Sequence, residues 1–284
     1  MKRITSNLYK GIAVANMLAV IVGCTTSANA ATNMIRTKNP DLAKQSFNVM
    51  RANARTTGSE EQQLLQSAFD KFAKGDYKGA IEDFTKVLAI NPKNEDALAN
   101  RALSHLYDGN PLDGLVDAEQ AANIAPDWFF PKFVKGLCYE GLQQFENAVD
   151  QFTQALSQNK NDKTIYLHRG FSQFSLKKYD ESISDLSKAL LLNPNWYYAH
   201  WYRCWAYMGK GDLKMAKADA DKLVSLEPNN GDTQRILGNV YELMGEKDNA
   251  IAAYKKSADQ FMASGNTKMA KVVLDAANRL EAAA

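Results

Sequence analysis

The chain has 284 residues, 45% of them hydrophobic and 10% aromatic, enough apolar material for a sizeable core and far from a disordered composition. Lysine and arginine number 34 against 32 acidic residues, a formal net charge of +2. That near-balance lacks the basic excess expected of a protein that binds nucleic acid or an anionic surface.

The first thirty residues read as an address. Lys2, Arg3 and Lys10 form a positive leader, and Ile12 to Val22 is an apolar run of 11 residues, short for a bilayer span. Two processing signals follow. Ile21-Val22-Gly23-Cys24 resembles the lipobox of bacterial lipoproteins, which makes Cys24 the lipidated first residue; Ala28-Asn29-Ala30 resembles an ordinary signal-peptidase site, which releases a soluble protein from Ala31. Both readings predict export across a bacterial inner membrane, to the periplasm or to an outer-membrane lipid anchor. Residues 31–60 read as a tether with one short helix starting at Asn39-Pro40-Asp41, where Pro suits the first helical position.

From residue 61 the chain repeats itself. Six consecutive units of 34 residues fit without insertion or deletion: 61–94, 95–128, 129–162, 163–196, 197–230 and 231–264. Each reads as two amphipathic helices, A and B. Position 8 of the unit is small throughout (Ala68, Ala102, Gly136, Gly170, Cys204, Gly238), and so is position 20 (Ala80, Gly114, Ala148, Ser182, Ala216, Ala250), which lets helix axes approach closely. Position 24 alternates large and small (Phe84, Ala118, Phe152, Leu186, Ala220, Tyr254) and is expected between one unit and the next. Prolines 92, 126, 194 and 228 at position 32 stop helix B, because a residue before proline is pushed out of the α region. Lys160 and Met262 depart from that pattern, and at Met262 the last B helix is expected to run on. Gly75-Asp76 and Gly211-Asp212 read as a helix-ending glycine followed by an N-cap acid, and Asn110-Pro111 as an Asn cap followed by Pro. After Ser264-Gly265-Asn266, residues 267–281 form one more amphipathic helix, with Met269, Val272, Val273, Ala276 and Leu280 on one face. Residues 265–284 thus make a capping helix and tail.

A strict 34-residue period with these landmarks resembles the tetratricopeptide repeat family. The resemblance implies an all-α fold: a right-handed superhelical solenoid of antiparallel helix pairs with a C-terminal capping helix. It implies function only as a class, since such repeats bind many unrelated partners.

The resemblance also says where to look. In this family the A helices line the concave face, and positions 2, 5, 9, 12 and 13 touch the ligand. Chaperone-type repeats that hold a C-terminal carboxylate use Lys and Asn at positions 5, 9 and 13. Here units one to five have neither at those places, and unit six has only Asn239, which argues against a carboxylate clamp. Units three to five place Phe130, Phe133, Phe171, Phe174, Tyr198, Trp201, Trp205 and Met208 at these positions instead. Large rings on a concave apolar surface suit a partner's helix or extended peptide, although some of them are expected to pack between A helices. Trp128 and Trp196, at the unit junctions, are expected to pack back on the preceding B helix.

Catalytic and metal signatures are absent. His105, His168 and His200 are the chain's three histidines and none sits in a metal-ligand motif; His200 and Cys204 stand at i, i+4 but occupy core positions of the repeat. Cys138 and Cys204 are two units apart, ~20 Å at about 10 Å per helix layer, and so are expected to be free buried thiols. No phosphate loop or nucleophile elbow occurs.

The sequence therefore predicts a non-catalytic scaffold of the bacterial cell envelope, with no cofactor and no metal. It is expected to bind another envelope protein, as pilotins and peptidoglycan-hydrolase adaptors of this build do. Two rival readings stay open: an accessory domain that binds a glycan or small molecule at Tyr198, Trp201 and Trp205, and a homo-oligomer in which the 40–50 or 267–281 helix of a second copy fills the groove.

Overall fold

The computed structural model describes residues 59–282. The processing signals around Cys24 and the short helix expected after Asn39 lie outside the described residues. Thirteen helices and no strand are found among the described residues. They are α1 Glu60–Ala73, α2 Tyr77–Ile90, α3 Glu95–Asp108, α4 Pro111–Ile124, α5 Phe129–Gly141, α6 Phe145–Gln158, α7 Lys163–Ser175, α8 Tyr179–Leu192, α9 Tyr197–Lys210, α10 Leu213–Leu226, α11 Gly231–Met244, α12 Lys247–Ala263 and α13 Thr267–Ala282. The fold is all-α, and no helix among the described residues is long and apolar enough to cross a membrane. The chain divides into two compact units, which meet between Ser172 and Gln173 in the sequence. Within each unit consecutive helices pack on one another, and in the first the A helix α3 also lies against the next A helix, α5.

The helix ends follow from local chemistry. Ser59 caps α1 through its hydroxyl and Gln62 reaches back to the Ser59 N–H, a reciprocal pair that satisfies two free amides. Asp76 and Asp212 accept from the amides of Gly79 and Met215, as expected of N-cap acids. Gly75 and Gly211, at φ +80° and +86°, make the left-handed turn that an L side chain resists. Asn110 departs from expectation. It occupies the N-cap of α4, yet its side chain makes no capping bond and instead donates to Asp108 at 3.3 Å. Pro111 already removes one amide from the first turn, which leaves less for a cap to satisfy.

The small residues at position 8 have a specific use. A Cβ on Gly136 would meet the Phe152 ring at 2.4 Å, and one on Gly238 would meet the Tyr254 ring at 2.7 Å. Position 24 therefore packs onto position 8 of its own unit as well as toward the next. Phe152 does both, since its ring also lies 5.9 Å from the His168 ring.

α12 is 17 residues long where the other B helices have 14, so the last B helix does run on past Met262 to Ala263. α13 covers it, but with a rotated face: Ala270, Val273 and Ala277 are buried, Met269, Ala276 and Leu280 pack beside them, and Val272 is 49% exposed. The face expected from the sequence includes the exposed Val272 and lacks Ala270 and Ala277, which the structure buries. Alanines sit at the centre because they let α13 lie close on α12. Cys138 and Cys204 are free and buried, and burial pushes both thiols well above their usual range.

Candidate peptide-binding face

The eight side chains singled out from the sequence fall into two groups. Phe130, Phe133, Phe171, Trp205 and Met208 are buried, between 5% and 6% exposed. Phe174, Tyr198 and Trp201 are half-buried and keep part of their surface in solvent.

In the first unit the rings form a connected stack. Trp128 lies 5.4 Å from Phe130, Phe130 6.5 Å from Phe133, and Phe133 5.9 Å from both Phe152 and the His168 ring. Phe171 meets Phe145 edge-on at 5.9 Å. These contacts hold repeats together, as ring pairs at such distances do. Glu140, at position 12, is 1% exposed. Its carboxylate accepts from His168 Nδ1 and Ser172 Oγ, each at 2.7 Å, so it is held inside rather than offered to a ligand. Asp96, at position 2, stays half-buried, and burial followed by the neighbouring Glu95 charge pushes its carboxyl up.

In the second unit α9 carries the face. His200 fixes its first turn: Nδ1 lies 2.7 Å from Asp219 and Nε2 3.0 Å from the Pro194 carbonyl. Cys204 Sγ donates to the Ala216 carbonyl at 3.2 Å. Both imidazole nitrogens and the thiol are thus engaged by the protein itself, which fits the core role assigned to the pair. Trp196 is buried at the junction before α9. On the first turn of α9, Tyr197 and Tyr198 meet at 5.3 Å and 86°, and the Tyr197 ring lies 5.7 Å from that of Trp201, tilted by 32°. These three half-buried rings form a corner with two nearly perpendicular walls. Phe174 packs its ring on Tyr179 at 6.1 Å, and Gly209 leaves room for Tyr179, since a Cβ there would meet that ring at 2.6 Å.

Beside the corner, on the next A helix, Asp232 accepts from Arg235 at 2.8 Å and 3.2 Å. Asn239, the one residue of the clamp type, is only 9% exposed, and its Oδ1 lies 2.8 Å from the Tyr254 hydroxyl. It is spent on internal packing.

One recurring arrangement escaped the sequence reading. Arg101 grips Asp117 with two bonds of 2.7 Å and 2.8 Å and reaches Thr85 of the preceding unit at 3.1 Å. Arg203 does the same with Asp219, at 2.9 Å and 2.8 Å, and with Ser187, at 3.0 Å. Arg169 reaches Thr153 at 3.0 Å. Arg101 and Arg203, at position 7, each join the buried aspartate at position 23 of their own unit to the hydroxyl at position 25 of the unit before. The signal was available, because Asp83, Asp117, Asp185 and Asp219 stand at one position of the 34-residue period.

The model of the tetratricopeptide repeat matches residues 71–94, 132–162, 164–195, 205–230 and 236–259. This chain carries tetratricopeptide repeats. Unit 95–128 falls outside the matched segments, yet α3 and α4 form the same helix pair there. The chain is similar to Hsp70-Hsp90 organizing protein 3 of Arabidopsis thaliana, 23% identical over 65% of this chain and 40% of that protein, so it spans less than half of that relative's length. Among solved structures it resembles a tetratricopeptide repeat protein from Parabacteroides merdae, with TM-score 0.59, 18% identity and coverage of 78% of this chain and 94% of the other. It also resembles YrrB, described as a repeat protein with an unusual peptide-binding site, with TM-score 0.58, 19% identity and coverage of 67% and 97%. At these identities the two structures speak for the fold.

Proposed function

We propose that this chain is a non-catalytic scaffold of the bacterial cell envelope that holds a peptide or helix of a partner protein on the A-helix face. The observation that carries the reading is the half-buried corner of Tyr197, Tyr198 and Trp201, with Phe174 also part-exposed in the same compact unit. Large rings left partly in solvent on an otherwise packed surface are the usual anchors of a protein interface. The family's use of this face for peptides, and the printed description of YrrB, point the same way. The missing Lys and Asn at positions 5, 9 and 13, together with the buried Asn239, argue against the carboxylate-holding mode of the chaperone adaptors.

The envelope assignment rests on the leader: Lys2, Arg3 and Lys10, the apolar run to Val22, and processing at Cys24 or after Ala30. Cys24 is the lipid attachment point in the first case. A crosslinked pull-down from the envelope fraction, wild type beside a Tyr198→Ala/Trp201→Ala variant, tests the reading. Envelope proteins recovered by the wild type and lost in the variant support it. Equal recovery by both moves the binding surface elsewhere, and palmitate labelling that depends on Cys24 separates the lipoprotein from the soluble form.

A further inference from the structure

The first and last helices of the array are finished differently. An A helix turns positions 3, 6 and 10 toward the B helix before it, and these positions are buried in each of units two to six. His168, at position 6, shows the contact, with its ring 5.9 Å from Phe152 of the preceding B helix. In α1 the same positions are Gln63, Gln66 and Asp70, all exposed, and the Gln66 amide donates to Asp70 at 2.9 Å. α1 thus turns a polar face outward, which is how a repeat array ends in water. α13 does the reverse. Counting on from Gly265 as position 1, Val272 stands at position 8. Position 8 is buried in all six units, because the unit's own B helix closes over it, as the Phe152 and Tyr254 rings do at Gly136 and Gly238. Among the described residues no helix follows α13, and Val272 is 49% exposed. Met269 and Ala276, at positions 5 and 12, lie on the same helix face and are half-buried. The units carry only Ala, Gly or Cys at position 8, so valine fills this place rather than leaving it for a closely packed B helix.

The charges that border this strip match a second copy of it. Lys268 and Asp275 are exposed and in no ion pair among the described residues, whereas Arg279 and Glu281 of the same helix are committed to Glu242 and Lys255. Lys268 and Asp275 stand two helical turns apart, about 10 Å, too far to pair on one helix. Val272 lies between them, so a two-fold axis there, crossing two antiparallel α13 helices, brings Lys268 of each copy against Asp275 of the other. We propose that this face of α13 is a self-association surface, on which two copies of the chain pair tail to tail with Val272 at the axis and Lys268 against Asp275 twice. The polar face of α1 offers nothing to the apolar strip of α13, so a head-to-tail stack is disfavoured and assembly closes at two copies. The strip is small, and the pair is accordingly weak and concentration-dependent. It uses none of the rings of α9 and stands independent of the peptide-binding reading; paired chains would offer a partner two such faces at once.

Sedimentation velocity of the full chain from about 1 to about 200 µM, beside variants of α13, tests this. The expected result for the wild type is a reversible monomer–dimer equilibrium with nothing larger than a dimer. Val272→Asp sets like charges on the axis and should leave monomer throughout, with an unchanged melt by circular dichroism because about half of that side chain is already in water. Lys268→Asp should weaken pairing about threefold or more, as two exposed ion pairs allow. Adding Asp275→Lys to it should restore pairing, since the same contacts then form with their signs exchanged. Monomer at every concentration, a dimer that ignores all of these variants, or growth beyond two copies overturns the proposal. So does pairing that is lost in Tyr198→Ala/Trp201→Ala and kept in Val272→Asp, which would move self-association to the A-helix face. Partner capture that is lost in Tyr198→Ala/Trp201→Ala, beside a wild type that stays monomeric, removes the tail-to-tail pair and leaves the peptide-binding face standing.

Discussion

The Phe152 ring occupies the space that a side chain on Gly136 would need: a Cβ at Gly136 would stand 2.4 Å from it. The same relationship joins Gly238 and Tyr254 at 2.7 Å. Where position 24 is small, position 8 carries more: Ala102 stands with Ala118, and Cys204 with Ala220. In units three and six the two positions share one volume. Gly136→Ala should therefore destabilise the chain by about 1–3 kcal/mol through overpacking. Phe152→Ala alone should cost about 3–5 kcal/mol through the void it leaves. The double variant should cost less than the sum, because the new methyl enters part of that void. Thermal or urea melts of the four proteins check this, and strict additivity would show that the two positions do not share space.

The buried aspartates lead to a second expectation. Asp219 is 3% exposed and is held by Arg203 and His200. Arg203→Met removes the two-pronged partner and leaves the carboxylate buried, so a loss of about 3–5 kcal/mol is expected. Asp219→Asn keeps hydrogen-bonding capacity without the charge and should cost less than Arg203→Met. Ser187→Ala breaks only the link to the preceding unit and should cost about 1 kcal/mol. An Arg203→Met protein that melts like the wild type would show that the staple adds nothing to stability.

Acid should remove the contribution of the buried Asp83. Asp83 is 3% exposed, and burial on its own would raise its pKa; bonds from Lys71, Ser67 and Lys86 outweigh that and bring it from 3.8 down to about 2. A depressed carboxylate contributes stability that is present above its unfolded value and is lost as pH falls through its folded value. The Asp83 contribution is therefore expected intact above pH ~5 and lost between pH ~4 and ~2. Asp83→Asn should flatten the stability profile in that window and lower the plateau at neutral pH. Equal acid slopes for the two proteins would move the acid sensitivity elsewhere.

Much of this architecture is legible in the sequence for a physical reason. Small residues, turn glycines and prolines act on the backbone next to them, so their spacing marks helices directly, and Gly75, Gly211 and Pro111 all sit where that logic puts them. Side-chain partners are harder to read. Asn110 begins α4 but bonds to Asp108, and Glu140 stands at a ligand-facing position but is closed in by His168 and Ser172 of the next A helix. Ring exposure is the hardest. Position 9 is buried in every unit, from Phe69 and Leu103 through Leu137, Phe171 and Trp205 to Asn239, because it follows the small residue where helices meet most closely. Residue type alone does not tell Trp205 from Trp201.

That last distinction gives a direct experiment. Trp205 is 6% exposed in the core of α9, whereas Trp201 is half-buried in the corner with Tyr197. Trp205→Ala should destabilise the chain by about 3–5 kcal/mol, and any loss of partner binding should follow unfolding. Trp201→Ala should cost less, because part of its surface is already in water, and should reduce partner binding by about 2 kcal/mol or more with the melt still cooperative. Removing both rings together would mix these effects, since the Trp205 void alone threatens the fold. Binding to the recovered partner, measured beside circular dichroism at each temperature, separates them. If Trp201→Ala melts as early as Trp205→Ala, its ring is core and the recognition surface lies elsewhere. If it melts late and binds normally, Trp201 is neither core nor anchor, and Tyr198 or Phe174 becomes the ring to test.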